Sequence, residues 1–68
     1  MSNTYPLFLN VALTEDIPEK GLKRGDIATV VEHYVQPEGQ EDGYSLEGFR
    51  SSGITIEVSA SQITSVSQ

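Results

Sequence analysis

Cysteine and tryptophan are absent from this 68-residue chain, and positive charge is scarce. Without cysteine, neither a disulfide nor a thiolate metal site can brace the fold. The disulfide-dense class of small secreted domains is excluded as well. Four Lys/Arg stand against ten Asp/Glu, a formal charge of −6. Affinity for nucleic acid comes largely from neutralised phosphates, so this balance argues against generic nucleic-acid binding. It argues equally against an anionic membrane surface. It suits solubility, or complementarity to a basic partner protein. No stretch approaches the roughly 20 apolar residues of a membrane span. The opening Met-Ser-Asn-Thr carries no positive charge, and Asn10 interrupts the apolar run 7–13, so no targeting signal is read there. A cytoplasmic protein is expected.

What is present reads as short strands. A chain of this length makes one domain and buries only about 60% of its unfolded surface. Residues 1–6 are expected to be a flexible N-terminus, 7–66 the domain and 67–68 a tail. In 7–13, Leu7, Leu9, Val11 and Leu13 alternate with Phe8, Asn10 and Ala12, the period-two pattern of a half-buried strand. Residues 14–25 contain Pro18, Gly21 and Gly25 and show no helical period, which predicts a long loop. Loops of about 12 residues are uncommon and often functional. Residues 26–35 are rich in β-branched and aromatic types and predict the strongest strand, apolar on both faces. Residues 36–43 are turn chemistry throughout. A third strand is expected over 44–50, with Leu46 inward and Gly48 at a bulge or close approach. A tight hairpin at 51–53 leads to a strand over 54–58. A single 3-10 turn at 59–62 and a closing strand over 63–66 complete the chain.

Five strands in this order, with a long first loop and a 3-10 turn before the last strand, follow the plan of an all-β, five-stranded SH3-like barrel. Closure would pair strand five with strand one and remove the exposed edges. The expected core is Leu9, Val11, Leu13, Ile27, Val30, Leu46, Ile54, Ile56, Val58 and Ile63.

No catalytic constellation is apparent. His33 is the only histidine, flanked by Glu32 and Tyr34, whose side chains point to the opposite face of a strand. It is expected to be exposed or at an edge, since no nucleophile, orienting acid or further metal ligand accompanies it. Glu38, Glu41 and Asp42 crowd one turn, but EF-hand spacing is missing. The serines and threonines of 51–67 include no Gly-x-Ser-x-Gly elbow. No enzyme, metal or cofactor is expected. Lys20, Lys23 and Arg24 place three of the four positive charges in one loop. They read either as a patch for an acidic partner or as locally paired with Glu15, Asp16, Glu19 and Asp26. Phe8, Tyr34, Tyr44 and Phe49 are expected outside the innermost core or at its rim. The first loop has acids but no aromatic residue, which disfavours a Pro-rich ligand.

The run 16–32, a loop with Gly25 feeding Ala28-Thr29-Val30-Val31-Glu32, resembles the opening of KOW-type modules. More closely, the chain resembles a family of short bacterial SH3-like proteins, domain of unknown function 4926. The residues that carry this are Val11-Ala12-Leu13, the loop 15–25, Thr29-Val30-Val31-Glu32, the segment 43–49 (Gly-Tyr-Ser-Leu-Glu-Gly-Phe) and the ending 59–63. The resemblance spans about 7–66. It departs at Ala28, where the group often has Gly, and at Gly48, where it often has a bulky residue. It implies the fold and brings no function, because a fold alone does not specify one. The expectation is a non-enzymatic module that binds another protein through 14–25. The candidate partner-binding residues are Lys20, Lys23, Arg24, Tyr34 and Phe49. The alternatives are an acidic antitoxin or immunity-type protein that neutralises a basic partner, and a KOW-like nucleic-acid module. Homodimerisation through strand edges, or through Phe8 and Phe49, stays open.

Overall fold

A computed structural model describes residues 4–49 and 53–66. The alternating segments form β1 (Asn10–Leu13), β2 (Ile27–Tyr34), β3 (Gly43–Glu47), β4 (Ile56–Ser59) and β5 (Ile63–Ser65). Two 3-10 turns punctuate them, Pro18–Lys20 in the first loop and Ala60–Gln62 before β5. The second was expected. It is held by a capping box, in which the Gln62 side chain reaches back to the Ser59 N–H at 2.8 Å. The first was not expected.

All pairings are antiparallel, in one sheet of order β4-β3-β2-β1-β5. The expected pairing of the last strand with the first is present, Leu13 opposite Ile63. The expected barrel closure is not. The sheet is open, with β4 and β5 at its two edges. The 3-10 turn carries the chain from β4 straight into a three-residue β5, which pairs with β1. Side chains from outside the strands, Ile17, Leu22 and Phe49, join the apolar core instead, and Tyr5 packs against that core. Among the described residues no helix is long and apolar enough to cross a membrane.

Register determines which face each residue occupies. Val11 lies opposite Ala28, Val30 opposite Leu46, Leu46 opposite Ile56 and Tyr44 opposite Val58, and all are buried. Between Val30 and Glu32 the β2–β3 register shifts, so Val31 is an extra residue and the side-chain parity of β2 reverses. Beyond this bulge His33 shares the core face with Tyr44, while Glu32 and Tyr34 turn outward with Ser45 and Gly43. Of the two alternatives expected at Gly48, a bulge or a close approach, the bulge lies at Val31. Gly48 terminates β3 instead, with φ of 89°.

Several expectations about the core need correction. β1 begins at Asn10, three residues later than expected, because Leu7 and Phe8 form a turn in which Phe8 takes φ of 71°. Leu9 is half-buried against the core. Ile27 is 52% exposed, since it pairs with Ala12 and neighbouring Ala28 takes the inward position. Ile54 lies before β4 and is 37% exposed. Ile17, Leu22, Ala28, Tyr44 and Phe49 join the core in their place. Arg50, at the end of the expected third strand, and Ser51 and Ser52 of the expected hairpin lie outside the described residues.

Candidate functional site

The loop between β1 and β2 is a stapled structure rather than open coil. Thr14, leaving β1, donates its N–H to the Gln62 carbonyl at 2.9 Å and its hydroxyl to the Ser61 carbonyl at 2.8 Å. Ile17 and Leu22 form a two-residue antiparallel bridge through hydrogen bonds of 2.9 and 3.1 Å. Both side chains are buried in the core. Pro18 presets the first position of the intervening 3-10 turn, and the Gly21 N–H closes it on the Pro18 carbonyl at 3.0 Å. The Gly25 N–H returns to the Leu13 carbonyl at 2.9 Å, with Gly25 at φ of 93°. Two buried apolar anchors and a closed backbone circuit thus hold the loop in one shape.

Two of its carboxylates serve its own backbone. Asp26 accepts the Lys23 N–H at 2.9 Å, and Asp16 accepts the Arg24 N–H at 2.8 Å. The expected side-chain pairing of Lys20, Lys23 and Arg24 with these acids is not formed. Among the described residues no Lys or Arg is in an ion pair, and the one His–carboxylate contact is His33–Asp42. Lys20, Lys23 and Arg24 are exposed and lie together on the loop. The other two candidates fall elsewhere. Tyr34 ends β2, 39% exposed, its hydroxyl 2.9 Å from Ser45 Oγ. Phe49 is buried in the core, not at its rim, and offers no surface to a partner. Tyr44, also expected at the rim, is fully buried. Phe8 is 74% exposed.

A second cluster surrounds His33, which is neither free nor fully exposed. Its Nε2 lies 2.8 Å from Asp42 Oδ2, and its ring stacks on Tyr44 with centroids 4.7 Å apart. Asp42 Oδ1 accepts the Gln36 N–H at 3.1 Å, and the Asp42 carbonyl accepts the Ala60 N–H at 3.0 Å. The His33 hydrogen bond, seconded by the Gln36 N–H, holds the Asp42 carboxyl below its usual value, against a small desolvation penalty. Tyr44 completes the cluster: its hydroxyl accepts the Tyr5 N–H at 3.1 Å, and the Tyr5 ring meets it edge-on at 5.5 Å. This arrangement fastens the 36–42 turn to the sheet. Among the described residues no hydrogen-bond partner meets Nδ1 of His33, and no three His, Cys, Asp or Glu are grouped to hold a metal ion. The sequence concealed this pair because alternation from Ala28 and Val30 sends His33 outward. Its one signal was the consecutive apolar pair Val30-Val31, where the period breaks.

Neither a curated protein nor a solved structure matches the chain. A family model does, over residues 7–64. That span holds the stapled loop, the bulged β2 and the His33–Asp42 pair, while Tyr5 lies outside it. The chain belongs to the family described as Domain of unknown function (DUF4926).

Proposed function

We propose that this chain is a non-enzymatic protein-binding module whose working surface is the 14–25 loop. The observation that carries the reading is the disposition of charge on that loop. Lys20, Lys23 and Arg24 stand exposed on a backbone braced by Ile17 and Leu22, and two of the neighbouring acids, Asp16 and Asp26, are engaged by backbone N–H groups. Such cations are available to carboxylates on another molecule, and a fixed loop loses little entropy on binding. The strand order and the 3-10 turn before β5 support an SH3-like architecture, left open between β4 and β5. The partner class that fits is an acidic patch on a protein.

The test is capture from native lysate at low and high salt. It compares the wild-type chain with a Lys20→Glu/Lys23→Glu/Arg24→Glu variant of matching thermal stability. At about 1 kcal/mol per reversed contact, retention of the partner should fall by tenfold or more. High salt should weaken the wild-type complex. The same partners retained equally by both chains would overturn the reading.

A further inference from the structure

Gly43 occupies a β-strand with no backbone reason to be glycine. The glycines at 21, 25, 39 and 48 hold φ between 71° and 93°, where a side chain is strained, and Gly43 is not among them. A Cβ built on Gly43 would meet ordinary contacts only, 3.6 Å from the Val58 carbonyl oxygen and 3.7 Å from Cδ2 of Tyr34. A strand glycine weakens its sheet, and one use of it is to let another molecule approach the backbone. Tyr34, Gly43 and Ser59 form one cross-strand row on the outer face. With no side chain at its centre, the row is a trough of about 460 Å³, bounded by Tyr34, Gln36, Glu57, Ser59 and Gln62.

The walls are held in place. The Tyr34 hydroxyl is hydrogen-bonded to Oγ of buried Ser45, which fixes the ring beside Gly43. The Gln62 amide accepts the Ser59 N–H at 2.8 Å and donates to Glu15 at 3.2 Å. Glu57 and Glu32 lie opposite Ser45 from its two sides, so both carboxylates share the face that Tyr34 occupies. Among the described residues neither is in an ion pair. An aromatic ring beside unpaired carboxylates, on a chain of formal charge −6, is complementary to a flat cation. Guanidinium meets both requirements, stacking on the ring while donating in a fork to a carboxylate.

We propose that the trough over Gly43 is a binding site for an arginine side chain of a partner protein, its guanidinium stacked on Tyr34 and hydrogen-bonded to Glu57. The site is independent of Lys20, Lys23 and Arg24, so it stands or falls separately from the loop. The test is an NMR titration of backbone amides with the peptide acetyl-Gly-Arg-Gly-amide. The same peptide with citrulline is the uncharged control of matching shape. The expected result is saturable shifts at Tyr34, Gly43 and Ser59 with the arginine peptide alone. Gly43→Ala, whose Cβ the backbone accommodates, and Glu57→Gln, at an exposed position, should each keep the fold and weaken binding by about fivefold or more. Equal shifts with citrulline, no shifts in the wild type, or undiminished binding by both folded variants would overturn the proposal.

Discussion

Tyr44 joins β3 to His33 of β2 and to Tyr5 of the N-terminal segment. Its ring is stacked by His33 on one side and met edge-on by Tyr5 on the other, and its hydroxyl receives the Tyr5 N–H. Truncation of a buried aromatic to alanine costs about 3–5 kcal/mol. Tyr44→Ala should therefore abolish most of the stability of a domain this small in urea denaturation. Tyr44→Phe keeps the ring and removes one acceptor, and should cost about 1–2 kcal/mol. Equal losses for the two variants would show that the hydroxyl, not the packing, dominates. The neighbouring Asp42 supplies a pH dependence whose sign is fixed by its lowered carboxyl value. A carboxyl more acidic in the folded than in the unfolded chain stabilises the fold fully above its unfolded value, about 3.9. That contribution disappears as pH falls through the lower folded value. The stability difference between wild type and Asp42→Asn should shrink as pH falls below about 4. A difference that stayed unchanged below about pH 3 would contradict the lowered carboxyl value. Phe8 presents the opposite case, an exposed aromatic ring on left-handed backbone. Phe8→Gly removes that strain with little packing lost, and should raise stability by up to about 1 kcal/mol.

At the scale of elements, strand existence was legible and strand parity was not. The alternation in β1 and β4 identified Val11, Leu13, Ile56 and Val58 as inward, and each is buried. In β2 the extra residue at Val31 reverses the faces, an event without a local residue signature beyond Val30-Val31. Periodicity therefore could not place His33, whereas Tyr34, expected outside the innermost core or at its rim, is 39% exposed. The first loop shows a different limit. Gly21, Gly25 and Pro18 marked it as a turn-rich segment, and that was right. Isolated Ile17 and Leu22 carry no period, so their burial depends on tertiary contacts that reading along the chain cannot supply. Lys20, Lys23 and Arg24 were visible as a cluster. Whether they were paired was decided by backbone N–H groups competing for Asp16 and Asp26. Comparing Leu22→Ala with Ile27→Ala tests this assignment. Leu22 is buried and should cost about 2–4 kcal/mol, with faster amide exchange through the loop. Ile27, placed inside by its β-branched character, is half-exposed and should cost under about 1 kcal/mol. Similar losses would return Ile27 to the core.

For the whole molecule, the open sheet sets a balance between charge and association. β4 and β5 each pair on one side only among the described residues, and exposed strand edges invite a second copy. Leu7, Phe8, Ile27 and Val35 add exposed apolar surface. Opposing this are the formal charge of −6 and the outward Glu57 at the centre of β4. The charge restraint weakens as pH approaches the isoelectric point near 4.4. Net charge near zero removes long-range repulsion. Sedimentation velocity should therefore show association increasing from pH 7 toward 4.4, with 0.5 M salt promoting it at pH 7 by screening the same repulsion. Glu57→Thr separates the edge from the global charge, because it alters the net charge by one unit while removing the guard from β4. If the β4 edge mediates association, this variant should associate at pH 7 more strongly than a Glu38→Gln control of equal net charge. Identical behaviour of the two would assign the association to net charge and apolar surface, and leave the open edge without a part in it.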